Sequence, residues 1–212
     1  MRTRRSTYAR PARPFRALRG AALALALGGA LASPAAAQPR LLSSAPVVAA
    51  RPLASTLRLE ADLAERTLYV WAGDSLLHLF PVAVGKPGNA TPTGSFTVDR
   101  VIWNPAWVPP DAKWARGKRA HGPADADNPM QAVKIFFREP DYYIHGTNRP
   151  ETVGSAASHG CLRMRPEDAA ALARLVMEHG GEPRDALWMD EVLRAKTTQT
   201  VKLPMLVAMT VE

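Results

Sequence analysis

Two histidines and a single cysteine lie within a stretch of 17 residues, and these side chains are the ones best suited to chemistry. They are His145, His159 and Cys161, and the chain contains no other cysteine. A thiol with a pKa of about 8.5 becomes an effective nucleophile at neutral pH when a neighbouring imidazole generates or stabilises the thiolate. The cluster therefore predicts a cysteine nucleophile with a histidine base.

Each of these residues also has an ordinary structural explanation. A buried cysteine is often a small core residue, and a single histidine is often a structural side chain with its hydrogen bonds satisfied. Glycine stands beside all three residues, at Gly146 and Gly160. Glycine allows a turn that exposes the sulfur and directs backbone N–H groups at a developing oxyanion, which favours the catalytic interpretation.

Two motifs then make the pattern specific. His145-Gly146-Thr147, followed by the run from Ser158 through His159-Gly160-Cys161 to Met164, resembles the signature of the YkuD-type L,D-transpeptidases. The segment from Gly85 to Val98 and Asn128-Pro129-Met130 are similar to further motifs of that family. The resemblance extends from about Leu57 to Val211. It implies a cysteine enzyme that forms cross-links in bacterial peptidoglycan.

The resemblance implies a role for each matching catalytic residue. Cys161 corresponds to the nucleophile and His145 to the general base, while the backbone carbonyl of Gly146 orients the imidazole as the aspartate does in a catalytic triad. His159 is expected to position or tune the thiol. The N–H groups of Gly160 and Cys161 are expected to be oxyanion donors.

Two further residues are expected to contact the substrate. Arg163 matches an arginine whose planar fork suits a substrate carboxylate, although a structural ion pair is the alternative. Ser158 is predicted as a substrate-binding residue that also serves as a local hydrogen-bond partner. No cofactor and no metal ion are expected.

The implied partners are peptidoglycan stem peptides. Such an enzyme forms a thioester on the diamino acid of one stem with loss of the terminal D-alanine, and passes the acyl group to an amine. Water as acceptor would make the same site an L,D-carboxypeptidase, and a lysine of an envelope protein would make it an anchoring enzyme. The motif does not distinguish these acceptors.

Two other classes remain as remoter alternatives. A zinc-binding hydrolase would use ligands drawn from His121, His145, His159 and Cys161, but their spacing matches no familiar zinc motif. A noncatalytic wall-binding module would retain the fold but not the catalytic activity. The presence of both His145 and Cys161 argues against it, because binding by itself requires neither.

Hydrophobic patterning predicts many strands and few helices. Strands are predicted near residues 57–61, 67–71, 76–84, 95–101, 133–137, 142–145, 200–203 and 206–211. A helix is predicted from Pro166 to Gly180, with Leu172, Leu175 and Val176 on its apolar face, and a shorter one over 185–194 with Leu187, Val192 and Leu193. With the resemblance, this predicts a mainly β, sandwich-like YkuD fold of mixed sheets with a helix after Cys161.

The segment between Val101 and Met130 has a different composition. It contains five prolines together with Trp103, Trp107 and Trp114. A stretch this rich in proline is unsuited to a central strand, and a loop this long in a compact domain is commonly functional. It is predicted to be a lid or substrate rim. The alternative is a surface loop that its tryptophans anchor to the domain.

The formal net charge of +8 is concentrated at the N-terminus. Seven of the 27 basic residues and none of the 19 acidic residues precede residue 38, so the rest of the chain is nearly balanced and a nucleic-acid partner is not expected. The basic, apolar and small residues of 1–37 follow the order of a cleaved signal peptide. We expect a linker over 38–55 and a catalytic domain over 56–212.

These features predict export to the periplasm or cell wall. The apolar run from Ala21 to Leu31 is shorter than the roughly 20 residues that cross a bilayer, so no stable membrane insertion is expected after cleavage. Because Arg4-Arg5 also allows export by the twin-arginine route, the sequence does not distinguish that route from the general secretory (Sec) route. No pattern in the chain predicts an oligomeric state.

Overall fold

The computed structural model describes residues 53–123 and 125–212. In this part of the chain, strands are more extensive than helices, and there are two α-helices. The strands are β1 (Leu53–Asp62), β2 (Thr67–Ala72), β3 (Ser75–Pro81), β4 (Val84–Gly85), β5 (Gly94–Trp103), β6 (Gln131–Arg138), β7 (Tyr142–Gly146), β8 (Ala156–Ser158), β9 (Leu162–Met164) and β10 (Gln199–Val211). The helices are α1 (Pro166–His179) and α2 (Ala186–Ala195).

Eight of these strands form one mixed sheet in the order β3-β2-β1-β10-β5-β6-β7-β9. The β1/β10 and β7/β9 pairs are parallel, and the other neighbours are antiparallel. A second, two-stranded sheet pairs β4 with β8. The prediction of a mainly β fold with mixed sheets and few helices is therefore confirmed.

Alternation of apolar and polar residues explains which face each strand buries. In β1, Leu57, Leu59 and Ala61 are fully buried in the core, while Arg58 and Glu60 point to the opposite face and pair with each other. Because successive side chains of a strand point to opposite faces, this period of two fixes which side of β1 packs inward.

Helix α1 follows the cysteine segment, as predicted. Pro166 occupies the first turn together with two acidic residues, and the helix ends at His179, directly before Gly180. Leu172 and Val176 are fully buried, and Leu175 packs at the edge of the core. The helix packs on the strands that carry the site described below.

Helix α2 differs from the prediction in the residues it buries. It buries Met189 and Val192, whereas Leu187 is 79% exposed and Leu193 is also exposed. The Asp185 side chain accepts a hydrogen bond from the Trp188 N–H and caps the helix. Leu187 lies in the first turn, on the side of the helix away from the core, so its apolar character was misleading.

Two strand boundaries also differ from the prediction. Strand β1 begins at Leu53, three residues before the predicted start of the folded unit. Strand β10 is continuous over the two strands predicted near its position, with a register shift between Lys202 and Val207. Pro204 lies inside that shift, where its missing N–H interrupts no ladder hydrogen bond.

The predicted signal peptide over 1–37, and the predicted linker up to residue 52, lie outside the described residues. Among the residues that are described, no helix is both long enough and apolar enough to cross a membrane.

Candidate active site

The pairing of β7 with β9 brings the two predicted catalytic segments together. His145 lies opposite Arg163, and Ile144 lies opposite Leu162, in a parallel register. Ile144 and Leu162 are fully buried on the core side. His145 and Arg163 therefore point to the other face of the sheet, and Cys161, two residues before Arg163, opens onto the same side.

A tight turn connects β8 to β9 and presents the cysteine. Ser158 is fully buried, and its Oγ accepts a hydrogen bond of 2.9 Å from the Gly160 N–H. Gly160 has a φ of 115°, and a Cβ at this position would lie 2.8 Å from Cε1 of Tyr142. Both the backbone conformation and the neighbouring ring therefore require glycine here.

Hydrogen bonding within this turn bears on two of the predicted roles. Ser158 does not line the cavity described below, and its Oγ accepts a hydrogen bond from the Gly160 N–H, as expected of a local hydrogen-bond partner; its contact with substrate stays a prediction. The Gly160 N–H is engaged by Ser158 and is not free for an oxyanion. The Cys161 N–H remains the candidate donor.

Gly160→Ala is expected to destabilise the domain by about 1–3 kcal/mol, because it combines left-handed strain with the close contact to Tyr142. Urea unfolding followed by fluorescence would measure the change. Gly154→Ala is the matched control, since Gly154 has a φ of 85° but open space around its Cβ position. Equal losses for the two variants would contradict a steric role for Tyr142.

The backbone carbonyl of Gly146 holds the His145 ring. His145 Nδ1 lies 2.8 Å from this oxygen, and because a carbonyl only accepts, Nδ1 carries the proton and Nε2 is the free acceptor. His145 is only 3% exposed. Burial first, then the positive charges of Arg163 and Lys134, lowers its pKa to about 3, so the imidazole is neutral at physiological pH.

Gly146 itself has no room for a side chain. A Cβ would lie 2.3 Å from the Gln131 carbonyl oxygen and 3.1 Å from Cα of Pro166, the first residue of α1. The glycine thus lets β7 approach both β6 and the start of α1, which sets the orientation of the carbonyl that holds His145.

The Cys161 thiol is partly buried, and burial is the main reason that its pKa rises to about 11. Arg163 and Lys134 act in the opposite direction, while Asp141 raises the pKa further. The sulfur donates a hydrogen bond to the Asp141 carbonyl oxygen at 3.2 Å. Among the described residues no hydrogen bond joins the sulfur to the His145 ring. Because the pKa of the thiol is raised to about 11 and that of the imidazole is lowered to about 3, both groups are neutral at physiological pH.

Reactivity of Cys161 towards iodoacetamide is expected to rise about tenfold per pH unit from pH 7 to pH 9 without a plateau, because burial favours the protonated thiol throughout this range. Alkylation rates measured by intact mass across this range would check it. A plateau below pH 8 would show that the thiolate is already the resting form.

A cavity of about 760 Å³ lies over this face of the sheet. His145, His159, Cys161 and Arg163 all line it, together with Tyr143 and Asp141, which the sequence reasoning did not single out. Tyr143 is close to Cys161, and burial followed by the charge of that sulfur raises the pKa of its phenol. A compact peptide segment fits a cavity of this size.

Residues of the proline- and tryptophan-rich segment line the cavity, which is the position that a lid or substrate rim would take, and the segment is called the lid below. Its three tryptophans differ in position: Trp103 is the last residue of β5 and lies in the core, whereas Trp107 and Trp114 line the cavity. The Trp114 ring stacks on His159 with centroids 4.0 Å apart and an interplanar angle of 13°. The lid therefore touches the residue two positions before the sulfur.

Backbone and side-chain hydrogen bonds anchor the base of the lid. Trp107 and His121 exchange two backbone hydrogen bonds of 2.9 Å. The buried Asn128 side chain donates to the carbonyls of Pro105 and Gly122 and accepts from the Met130 N–H. A fully satisfied buried amide of this kind rigidifies the segment around it, so the lid has a fixed base below the Trp114 contact.

His159 and Arg163 are the remaining predicted site residues in the cavity. His159 is partly buried with its Nδ1 unpaired, and burial followed by Lys86 and Arg163 lowers its pKa to about 4. Arg163 makes no salt bridge within the described residues, which removes the structural ion pair proposed as its alternative role. Its guanidinium is thus available to an anion that enters the cavity.

Within residues 53–123 and 125–212, no group of three histidine, cysteine or acidic side chains is arranged to hold a metal ion. His121 instead pairs its Nδ1 with Asp125 at 2.8 Å. The four residues considered as zinc ligands therefore do not converge in the described structure.

Comparison with known proteins agrees with this geometry. Residues 57–199 match the family model YkuD, described as the L,D-transpeptidase catalytic domain. A Bacillus licheniformis protein named as an L,D-transpeptidase YkuD is 34% identical over 119 residues, covering 56% of this chain and 59% of that protein. An Escherichia coli protein named as an L,D-transpeptidase ErfK/SrfK is 36% identical over 115 residues, covering 50% of this chain and 37% of that protein.

The match therefore spans less than two thirds of the length of these relatives. Among solved structures, an L,D-transpeptidase from Mycobacterium smegmatis superposes with a TM-score of 0.50 at 16% identity, covering 74% of this chain and 59% of that one. At this identity the similarity concerns the fold.

Proposed function

The chain belongs to the YkuD family of L,D-transpeptidase catalytic domains, and on that premise we propose that it is a peptidoglycan L,D-transpeptidase acting through Cys161. The observation that carries the proposal is that one thiol, directly before β9, and one neutral imidazole on the adjacent strand β7 line the same cavity as the lid. Neither a wall-binding module nor a structural histidine requires that arrangement.

In the first half-reaction, the hydrogen bond from the Cys161 thiol to the Asp141 carbonyl oxygen breaks first. His145 Nε2 accepts the thiol proton while Sγ attacks the carbonyl carbon of the donor stem's diamino acid. The Cys161 N–H donates to the resulting oxyanion. Collapse breaks the bond to the terminal D-alanine, whose amine takes the proton from His145, and a thioester remains on Cys161.

The second half-reaction reverses these proton transfers. An acceptor amine attacks the thioester carbonyl and gives a proton to His145 Nε2. The thiolate then leaves and takes that proton back, which restores the neutral thiol and releases an amide cross-link. With water in place of the amine, the product is a shortened stem peptide with a free carboxylate.

Cations slightly outnumber acids around the cavity, which supports an anionic peptide as substrate. Its lining has three aspartates, one of them paired with Arg119, and four cations that form no salt bridges within the described residues: Lys86, Lys118, Arg149 and Arg163. Stem peptides carry several carboxylates, and Arg163 stands nearest to the reacting sulfur in sequence. Its fork is suited to holding one of those carboxylates during attack.

Purified protein incubated with a disaccharide tetrapeptide is the direct test. Mass spectrometry is expected to show a covalent adduct on Cys161 and a cross-linked dimer with loss of D-alanine. Tripeptide without dimer would replace the transpeptidase proposal by an L,D-carboxypeptidase. Absence of both products and of any adduct would overturn the proposed chemistry.

The proposed substrate lies outside the cytoplasm, which agrees with the signal peptide predicted over residues 1–37. We propose that the mature enzyme begins near Gln38 and acts in the periplasm or cell wall through the domain beginning at β1. N-terminal sequencing of the exported protein would locate the cleavage site.

A further inference from the structure

Lys134 stands next to the catalytic pair, although no motif in the sequence draws attention to it. It lies on β6 directly opposite His145 of β7, and His145 lies opposite Arg163 of β9. Cross-strand partners share a face of the sheet, so Lys134, His145 and Arg163 form a row of three side chains across adjacent strands. We call this the His145 row. A permanent cation flanks the imidazole on each side.

The environment of Lys134 is unusual for a lysine. The residue is partly buried, and its Nζ lies 4.7 Å from the ring centroid of Phe136 and 4.7 Å from that of Tyr143. No carboxylate of the described residues lies within salt-bridge distance of it. Burial lowers the pKa of this ammonium. Placing an unpaired cation here costs free energy, and cation–π contacts offset only part of that cost.

Lys134 does not line the cavity, which separates it from the substrate-facing cations. Tyr143 connects the two, because its ring contacts Lys134 and also lines the cavity. The position of Lys134 therefore does not suit a direct contact with a peptide substrate. Its charge acts on its neighbours instead.

We propose that Lys134 is a positioning residue that supplies a fixed positive charge behind the Cys161 and His145 pair, favouring the anionic sulfur and the anionic intermediate of acyl transfer. The proposal rests on the proposed role of Cys161 as nucleophile. A charge held by the sheet costs no reorganisation at the moment of reaction, which is how preorganised electrostatic catalysis works.

The charged and titratable groups around the sulfur come from several elements. They are Lys134 of β6, Asp141 of the β6–β7 turn, Tyr143 and His145 of β7, His159 of the β8–β9 turn, and Arg163 of β9. Lys134 itself also experiences Arg100 of β5 and Glu139 of the β6–β7 turn. In this set Lys134 and Arg163 lower the pKa of Cys161, and Asp141 raises it.

A purely structural role is the competing explanation. In that case Lys134 serves only to pack on Phe136 and Tyr143, and its loss lowers stability without changing the ionisation of the thiol. The two explanations differ in the pH dependence of Cys161, and that measurement requires no peptidoglycan substrate.

Lys134→Met keeps the aliphatic packing and removes the charge. Without this charge the pKa of the Cys161 thiol is expected to rise by about half to one unit. Its alkylation by iodoacetamide at pH 7.5 then slows by roughly three- to tenfold. Lys134→Arg should restore the wild-type rate because the charge is restored. Lys202→Met is the matched control, since Lys202 is an exposed lysine of β10, two strands away in the sheet.

An unchanged alkylation profile in Lys134→Met, or an equal slowing in Lys134→Arg, would overturn the proposal. Thermal unfolding of each variant confirms that the protein measured is folded, and Lys134→Gln replaces the methionine variant if the latter does not fold. Failure of the wild-type enzyme to cross-link stem peptides would refute the proposed function. The alkylation rates test the role of Lys134 independently, because they require no peptide substrate.

Discussion

Cys161→Ala is expected to lower acyl transfer by at least about a thousandfold, to the limit of detection. The reason is that the chain contains one thiol, and this thiol lines the same cavity as the proposed base His145. Intact-mass analysis after incubation with a tetrapeptide donor should show an added acyl mass on the wild type and none on the variant. Product formation in parallel should fall to the uncatalysed level.

The variant remains informative only if it is folded. Removing the sulfur takes away one partly exposed side chain and its hydrogen bond to Asp141, so the melting temperature is expected to change little. Cys161→Ser tests the chemistry further, because its hydroxyl ionises far less readily than a thiol. Full activity of either variant would show that the reaction passes through another residue.

His145→Gln is expected to lower acyl transfer by about 100- to 10,000-fold, the range typical of losing a general acid–base group. Glutamine keeps a polar side chain of similar reach, but it neither accepts the thiol proton nor returns it to the leaving amine. The rate of product formation with a tetrapeptide donor measures the loss. His78→Gln is the control, because His78 is exposed on β3 at the opposite edge of the sheet from β9.

The pH dependence gives the same residue a second test. Because burial and its flanking cations lower the pKa of His145 to about 3, the imidazole stays able to accept a proton until the pH falls towards that value. Activity of the wild type should therefore persist through pH 6.5, where an ordinary histidine becomes protonated. A loss of activity centred near pH 6.5 in the wild type that persists in His78→Gln would contradict a neutral buried base.

The residues that were predicted together and found together share a local signal. His145-Gly146 and His159-Gly160-Cys161 lie in short contiguous motifs, and hydrophobic alternation around them predicted the strands that carry them. Helix α1 is equally predictable from the sequence, because Pro166 and its acidic neighbours mark its start. Such features depend on interactions within a few residues, which the order of the chain displays.

The contacts that the sequence did not predict depend on tertiary structure that no short motif displays. Lys134 meets His145 only through the β6–β7 register, which contains irregularities on both sides of Lys134. A slip of one residue would send its side chain to the opposite face of the sheet. The hydrogen bond of the Ser158 hydroxyl to the Gly160 N–H likewise follows from the geometry of the turn.

The amino-acid sequence by itself indicated the thiol proposed as nucleophile, the histidine proposed as its base, the mainly β architecture and the presence of a long loop after β5. Tertiary structure decided that this loop lines the cavity and contacts His159 through Trp114, that burial favours the neutral thiol, and that Lys134 lies opposite His145. Residue type and local pattern set which groups are able to react. Burial and strand register, which arise from contacts between distant segments, set their charge and their neighbours.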